Sequence, residues 1–178
     1  MKKIITNVDN LKEEDMTELV RKVKILLINS KKELMLGYSH NEYQFPGGTQ
    51  EVDEELIDTI NREITEETGI SLNLKKLNSF ACAIGYYKDW PKKGKNKKIE
   101  IYYYEVKTDE KPNLDNLNLT DSEKEGNFEL RYINLDNVAQ ELMHNAEIYG
   151  DKHGIAKEML NLLKIYKEVD KNKEIELY

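Results

Sequence analysis

Three glutamates, Glu63, Glu66 and Glu67, follow an arginine in the run Arg62-Glu63-Ile64-Thr65-Glu66-Glu67-Thr68-Gly69-Ile70. They stand at i, i+3 and i+4, so if the run is helical their carboxylates share one face of its last two turns. Like charges placed this way weaken an isolated helix by roughly a few tenths of a kcal/mol per pair, and something outside the helix should compensate. A hard divalent cation does so, because it takes oxygen ligands and bridges carboxylates to phosphates. A second group of residues precedes the run. Pro46-Gly47-Gly48 would let backbone come close to a ligand, and Glu51, Asp53 and Glu54 add further acids. In a chain with 34 acidic residues a solvated acidic face is the plainer explanation of such a helix, so the elements around it have to decide.

Residues 53–68 contain no Gly or Pro, set Ile57, Ile60 and Ile64 on one stripe, and stop at Gly69, which predicts an amphipathic helix. Its acid face would border the buried side and line a cleft. Upstream, the apolar runs Val20–Asn29 and Glu33–Gly37, broken by Asn29-Ser30-Lys31-Lys32, predict a hairpin, and Tyr43-Gln44-Phe45 a short strand ended by Pro46. Downstream, Leu77–Tyr87 and Lys98–Thr108 predict an antiparallel pair across a basic loop, Trp90 to Lys97. A strand over Phe128–Ile133 and helices over Asp136–His144 and Gly154–Val169 complete the pattern. Strands interleaved with helices without regular alternation predict an α/β fold, a mixed sheet flanked by helices, in a single domain over residues 20–178. Residues 1–19 are expected as an N-terminal arm carrying a short helix through Glu13–Leu19.

The segment Gly48 to Ile70 reads glycine, five residues, Glu54, seven residues, Arg62-Glu63, an aliphatic, any residue, Glu66-Glu67, any residue, Gly69, an aliphatic. Every specified position matches the Nudix box, a coincidence expected on the order of once in 10⁹ starting positions at average residue usage. The chain therefore resembles the Nudix hydrolase superfamily. The resemblance implies an α/β/α sandwich and a hydrolase that splits a pyrophosphate linkage in a nucleoside diphosphate joined to another moiety. It implies a magnesium cofactor, with manganese as a substitute, held by Glu63, Glu66, Glu67 and the Gly47 carbonyl. Arg62 is implied as the orienting residue and Glu54 as a structural or outer partner. For the general base the family offers Glu63 or Glu66 from the box, or a downstream loop acid, here Glu123 or Glu125. The alternative within the resemblance is a non-catalytic nucleotide-sensing module, but such modules lose the Arg-Glu and Glu-Glu positions that are intact here.

The substrate signal is thinner. Tyr86 and Tyr87 lie where dinucleoside polyphosphate hydrolases of the family tend to carry a tyrosine, and are the candidate substrate-binding residues. Pro91 after Trp90 does not suit the ADP-ribose branch, so nucleoside triphosphates and dinucleoside polyphosphates stand level. Trp90 and Tyr102–Tyr104 could stack a base, and Lys92–Lys98 could steer a polyphosphate, although a half-buried strand and a soluble turn are the commoner explanations.

The net charge of −7 disfavours a nucleic-acid polymer as partner and leaves a small anionic nucleotide, for which a metal would reverse the local field. The apolar run Ile4-Ile5 is too short for a signal-peptide core, and no membrane-spanning stretch is present. The single cysteine, Cys82, lies in an apolar run and reads as a reduced core residue, so a cytoplasmic protein is expected. The three histidines, His40, His144 and His153, are too scattered for a metal triad. The family resemblance also admits a homodimer.

Overall fold

In the computed structural model, residues 1–151 and 153–175 are described, with side chains as far as Asp170. Seven strands form one sheet: β1 (Lys2–Thr6), β2 (Glu18–Ile28), β3 (Glu33–Ser39), β4 (Glu42–Gln44), β5 (Ala81–Tyr87), β6 (Lys97–Lys107) and β7 (Glu129–Asn134). The helices are α1 (Leu56–Thr68), α2 (Asp121–Glu125), α3 (Val138–Tyr149) and α4 (Ile155–Ile175). The strand order is β1-β5-β6-β2-β3-β4, with β7 on the far edge of β3. The sheet is mixed, because β2 runs parallel to β6 from Glu18↔Lys97 to Ile28↔Lys107, and β1 runs parallel to β5, while the other pairs are antiparallel.

Alternation along β2 divides the core. Val23, Ile25 and Leu27 face α1 and pack with Ile60, Ile64, Tyr104 and Val106. Leu26 and Ile28 face the opposite way and pack with Tyr103, Phe80, α3 through Val138 and Leu142, and α4 through Met159, Leu162 and Tyr166. Both faces of the central strands are therefore covered, which accounts for the continuous apolar run Ile25-Leu26-Leu27-Ile28. The layers are helix, mixed sheet, helix, as expected.

Differences from the sequence reading concentrate near the N-terminus. Lys2–Thr6, placed in the expected arm, pairs with Ala81–Gly85 as an edge strand of the same sheet. The expected helix through Glu13–Leu19 is one 3₁₀ turn, Glu13–Asp15, after which β2 begins. Helix-prone acids yield there to tertiary pairing: Thr17 and Glu18 donate backbone hydrogen bonds to the Asn96 carbonyl, and Lys97 pairs with Glu18 at 3.0 Å. Helix α2 had no sequence expectation; Thr120 caps it, accepting from the Glu123 N–H.

Candidate active site

The segment after β4 is held against β2 rather than left as a free loop. Ile25 N–H donates to the Pro46 carbonyl at 2.8 Å, Val23 N–H to Gly48 at 2.9 Å, and Gln50 N–H to Arg21 at 2.9 Å. Gly47 takes φ +131° and lies so close to the Val23 carbonyl that any Cβ would collide with it. A Cβ on Gly48 would strike the Glu63 carboxylate. The two glycines thus form a backbone shelf against which the acid face of α1 closes.

On α1, Ile60 and Ile64 are fully buried and Ile57 half-buried, so the predicted stripe is the core-facing side. The helix ends at Gly69 in a left-handed conformation, as its sequence predicts. Glu63, one residue from Ile64, is 8 % exposed and rests on Gly48. Glu67 accepts the Gly47 N–H at 3.2 Å. Arg62 binds the group together: its Nε and Nη2 donate to the two Glu54 oxygens at 2.7 and 3.1 Å, its Nη1 to Glu63 at 2.8 Å and Glu66 at 3.1 Å, and its Nη2 also to the Thr49 carbonyl at 3.0 Å. Glu54 is further fixed by the Glu51 N–H and the Thr59 hydroxyl. This half-buried, forked network has the geometry in which arginine ion pairs count for more than exposed ones do.

Electrostatics separates the acids. Hydrogen bonds from Arg62 hold Glu54 down at about 2. Burial pushes Glu63 above the usual carboxylate range and carries Glu67 up to about 8. Glu63 and Glu123 both add like charge to Glu67. Glu123 is brought there in steps: Asn113 and Asn118 donate their backbone N–H groups to the Thr68 and Glu66 carbonyls, which pins the loop onto the end of α1, and α2 follows. Glu123 is also the capping carboxylate of α2, accepting from the Thr120 N–H at 2.7 Å. Glu125 ends the same helix, exposed.

The expected set of Glu63, Glu66 and Glu67 is not already gathered about one point; among the described residues no three His, Cys, Asp or Glu side chains converge in that way. Arg62 draws Glu63 and Glu66 to itself, and Asn118 holds the other oxygen of Glu66 at 3.3 Å. The donor chemistry nevertheless suits a hard cation. A buried carboxylate, Glu63, and a half-buried one, Glu67, both disfavoured as anions by desolvation, border one glycine shelf and offer oxygen atoms.

A cleft of about 240 Å³ opens on the other face of the sheet, between β1, β5, β6 and the first turns of α4. Tyr87, Ile99, Ile101, Ile4, Glu158 and Asn161 are among its walls. The two candidate tyrosines part here. Tyr87 folds over Gly85 at the rim, 6.1 Å from Trp90 between ring centres, whereas the Tyr86 hydroxyl donates to Glu13 across the sheet. Tyr103 and Tyr104 are core residues and Tyr102 bonds Glu100. A larger hollow of about 800 Å³ beside β7 and α3 has no residue of the box among its walls.

A sequence profile of the NUDIX domain matches residues 18–150, most of the chain. The chain belongs to the NUDIX family. With the box complete, that membership makes it an enzyme of the pyrophosphohydrolase class. No curated protein matches it in sequence. Among solved structures, a C. elegans Ap4A hydrolase binary complex is similar with a TM-score of 0.53 at 15 % identity, over 86 % of this chain and 98 % of that one. A Bacillus halodurans MutT protein gives 0.49 at 20 % identity, over 68 % and 72 %. A Methanosarcina mazei MutT protein gives 0.48 at 18 % identity, over 69 % and 82 %. At such identity the likeness to the hydrolase from C. elegans speaks for the Nudix fold alone.

Two site residues escaped the sequence reading. Asn118 carried no signal, being one asparagine in a polar stretch. Lys24 did: it is the one charged residue in Val23-Lys24-Ile25-Leu26-Leu27-Ile28, and its ammonium donates to the Phe45 carbonyl at 2.9 Å and the Gly47 carbonyl at 3.0 Å.

Proposed function

We propose that this Nudix domain hydrolyses a pyrophosphate bond in a nucleoside diphosphate linked to another moiety, a nucleoside triphosphate or dinucleoside polyphosphate, with magnesium or manganese as cofactor. The observation that carries the reading is the closure of Glu63 and Glu67 onto the Gly47–Gly48 shelf, with Arg62 tying Glu54, Glu63 and Glu66 behind them. Glu63, Glu67 and the Gly47 carbonyl, joined by Glu66, would hold the cation, which supplies charge neutralisation on the phosphates and a more acidic water. Arg62 keeps the carboxylates in place. Glu66 and Glu123 are the carboxylates free of the shelf, and each is suited to take the proton of the attacking water at a carboxylate oxygen. Glu123 gains weight because its charge is felt by Glu67.

The α4 cleft is the place for the nucleoside. Its apolar floor of Ile4, Ile99 and Ile101, the ring of Tyr87 at the rim and the amide of Asn161 offer stacking and hydrogen bonding, and its size suits one ring system. Tyr86, held by Glu13 on the other face, has no part in that contact. Among the described residues no helix is long and apolar enough to cross a membrane. A cytoplasmic setting, a small-molecule substrate rather than a nucleic-acid polymer, and pairing of two copies belong to the same proposal.

Phosphorus NMR of products formed in ¹⁸O-water from a nucleoside triphosphate and from a dinucleoside tetraphosphate, with magnesium or EDTA, tests the function. Label in a phosphate product formed only with magnesium supports it. No turnover of any phosphoric anhydride across a nucleotide panel contradicts it.

A further inference from the structure

The acid shelf and the α4 cleft lie to either side of β2. Residues 46–50 bond to one edge of β2, at Ile25, Val23 and Arg21, and β6 takes the other edge along the whole strand. Beyond β6 come β5 and then β1. Neighbouring strands are about 5 Å apart, which sets β6 roughly 10 Å from the shelf and β1 about twice as far. The cleft runs over these strands in the same order, from Ile101 and Ile99 on β6, through Ala83 and Gly85 on β5, to Ile4 on β1. A nucleoside whose phosphates sit at the shelf therefore enters from the β6 side, ribose first, and its base continues over β5 towards Tyr87 and Ile4.

Glu158 stands at that β6 side. Tyr103 of β6 is fully buried, and its hydroxyl donates to the carboxylate of Glu158, a wall of the cleft. Tyr103 is in register with Lys24, whose ammonium rests on the Gly47 carbonyl and feels the Glu158 charge together with that of Glu67. Glu158 thus marks the shelf end of the cleft, and it is exposed, open to a ligand. One hydroxyl fills one of roughly four acceptor sites on a carboxylate, so Tyr103 fixes the group without saturating it. The part of a nucleotide that reaches this place offers two neighbouring O–H donors, the 2′- and 3′-hydroxyls of ribose, and a carboxylate is suited to accept them. The base edge is a poorer match. Only guanine presents two adjacent N–H donors there, and the base lies farther on, over β5.

We propose that Glu158, positioned by Tyr103, accepts the 2′- and 3′-hydroxyls of the substrate's ribose, so that the enzyme takes ribonucleotides in preference to 2′-deoxyribonucleotides. The proposal rests on the assigned function and on the α4 cleft as the nucleoside site, but can fail separately. Glu158 is the specificity-determining residue, in contact with the sugar, and Tyr103 is a positioning residue that acts through it. A deoxyribonucleotide forfeits one charge-assisted hydrogen bond to the carboxylate.

Nucleoside monophosphates hold no anhydride bond, so their binding reports on the cleft without turnover, and EDTA removes the contribution of any divalent ion. The measurement is calorimetric titration of the full chain with AMP against dAMP and the matching pairs for the other three bases. The ribo form should bind about ten- to hundredfold more tightly whatever the base, the range for one hydrogen bond to a charged group. Glu158→Gln should reduce that ratio about tenfold. Tyr103→Phe should reduce it less and leave the order of the bases unchanged, and Lys107→Gln, on an exposed side chain, should have no effect. If Glu158 only satisfies the Tyr103 hydroxyl, Glu158→Gln lowers the melting temperature and keeps the wild-type ratio, which overturns the proposal. A loss confined to guanine and equal for GMP and dGMP overturns it as well, in favour of a contact to the base. Where Glu158→Gln fails to fold or the monophosphates bind too weakly to titrate, kcat/KM of the wild type for ribo- against deoxyribonucleoside triphosphates decides: a preference of about tenfold or more for the ribo form supports the ribose contact, and equal values overturn it alone. Absence of both monophosphate binding and hydrolysis overturns the contact and the assigned function together.

Discussion

Glu67 concentrates the conflict that a cation would resolve. Its folded-state value near 8 lies above the ordinary 4.5, so the folded state favours the protonated acid. The associated stability is fully present below about pH 4.5 and is lost as pH rises through about 8. Without divalent ions the melting temperature should therefore fall between pH 5 and pH 9, and magnesium should recover much of the loss. Glu67→Gln should flatten that dependence, as scanning calorimetry would show. Glu54 behaves in the opposite sense. Its value near 2 gives stability present above 4.5 and lost as pH falls through 2, worth up to roughly 3 kcal/mol and absent in Glu54→Gln. At this scale the box was legible, because i, i+3, i+4 spacing survives any tertiary context. Lys24 was not, since a lysine in an apolar strand reads as a side chain whose charged end escapes to water, and only pairing of residues 46–50 with β2 closes that route.

Elements decide how exactly the acids meet the shelf. Gly48→Ala would put a methyl group 2.3 Å from a Glu63 carboxylate oxygen, so the carboxylate would have to move aside. The expected result is a folded protein with kcat down about a hundredfold, the scale of loss for a misplaced catalytic geometry, readable as normal circular dichroism with depressed steady-state turnover. Helix α1 was legible because its stripe, its lack of Gly and Pro and its Gly69 stop agree. The strand expected over Leu77–Tyr87 begins only at Ala81, and the helix expected to end at His144 runs to Tyr149, boundaries that packing sets rather than propensity. The 3₁₀ turn in place of an N-terminal helix has the same origin, the pull of β2 towards its eleven-residue pairing with β6.

At the scale of the molecule, the sheet separates the acid face of α1 from the α4 cleft. One face carries α1 and the acids, the other the α4 cleft, and Lys24 donates to the Gly47 carbonyl of the shelf. Neither parallel pairing, β1 with β5 nor β2 with β6, was readable, because strand neighbours distant in sequence leave no local trace. Edge strand β1 supplies Ile4 to the cleft wall, so removing residues 1–6 should raise KM for nucleotide several-fold while changing kcat little, in steady-state kinetics. The acid face of α1 is the proposed metal-dependent hydrolytic centre. Its most direct test is a magnesium titration of nucleotide hydrolysis in wild type and Glu67→Gln, followed by product release. Saturable magnesium dependence in the wild type, with turnover lower by orders of magnitude in a folded Glu67→Gln, is the predicted result; equal turnover in the two, or turnover that persists in EDTA, would contradict it.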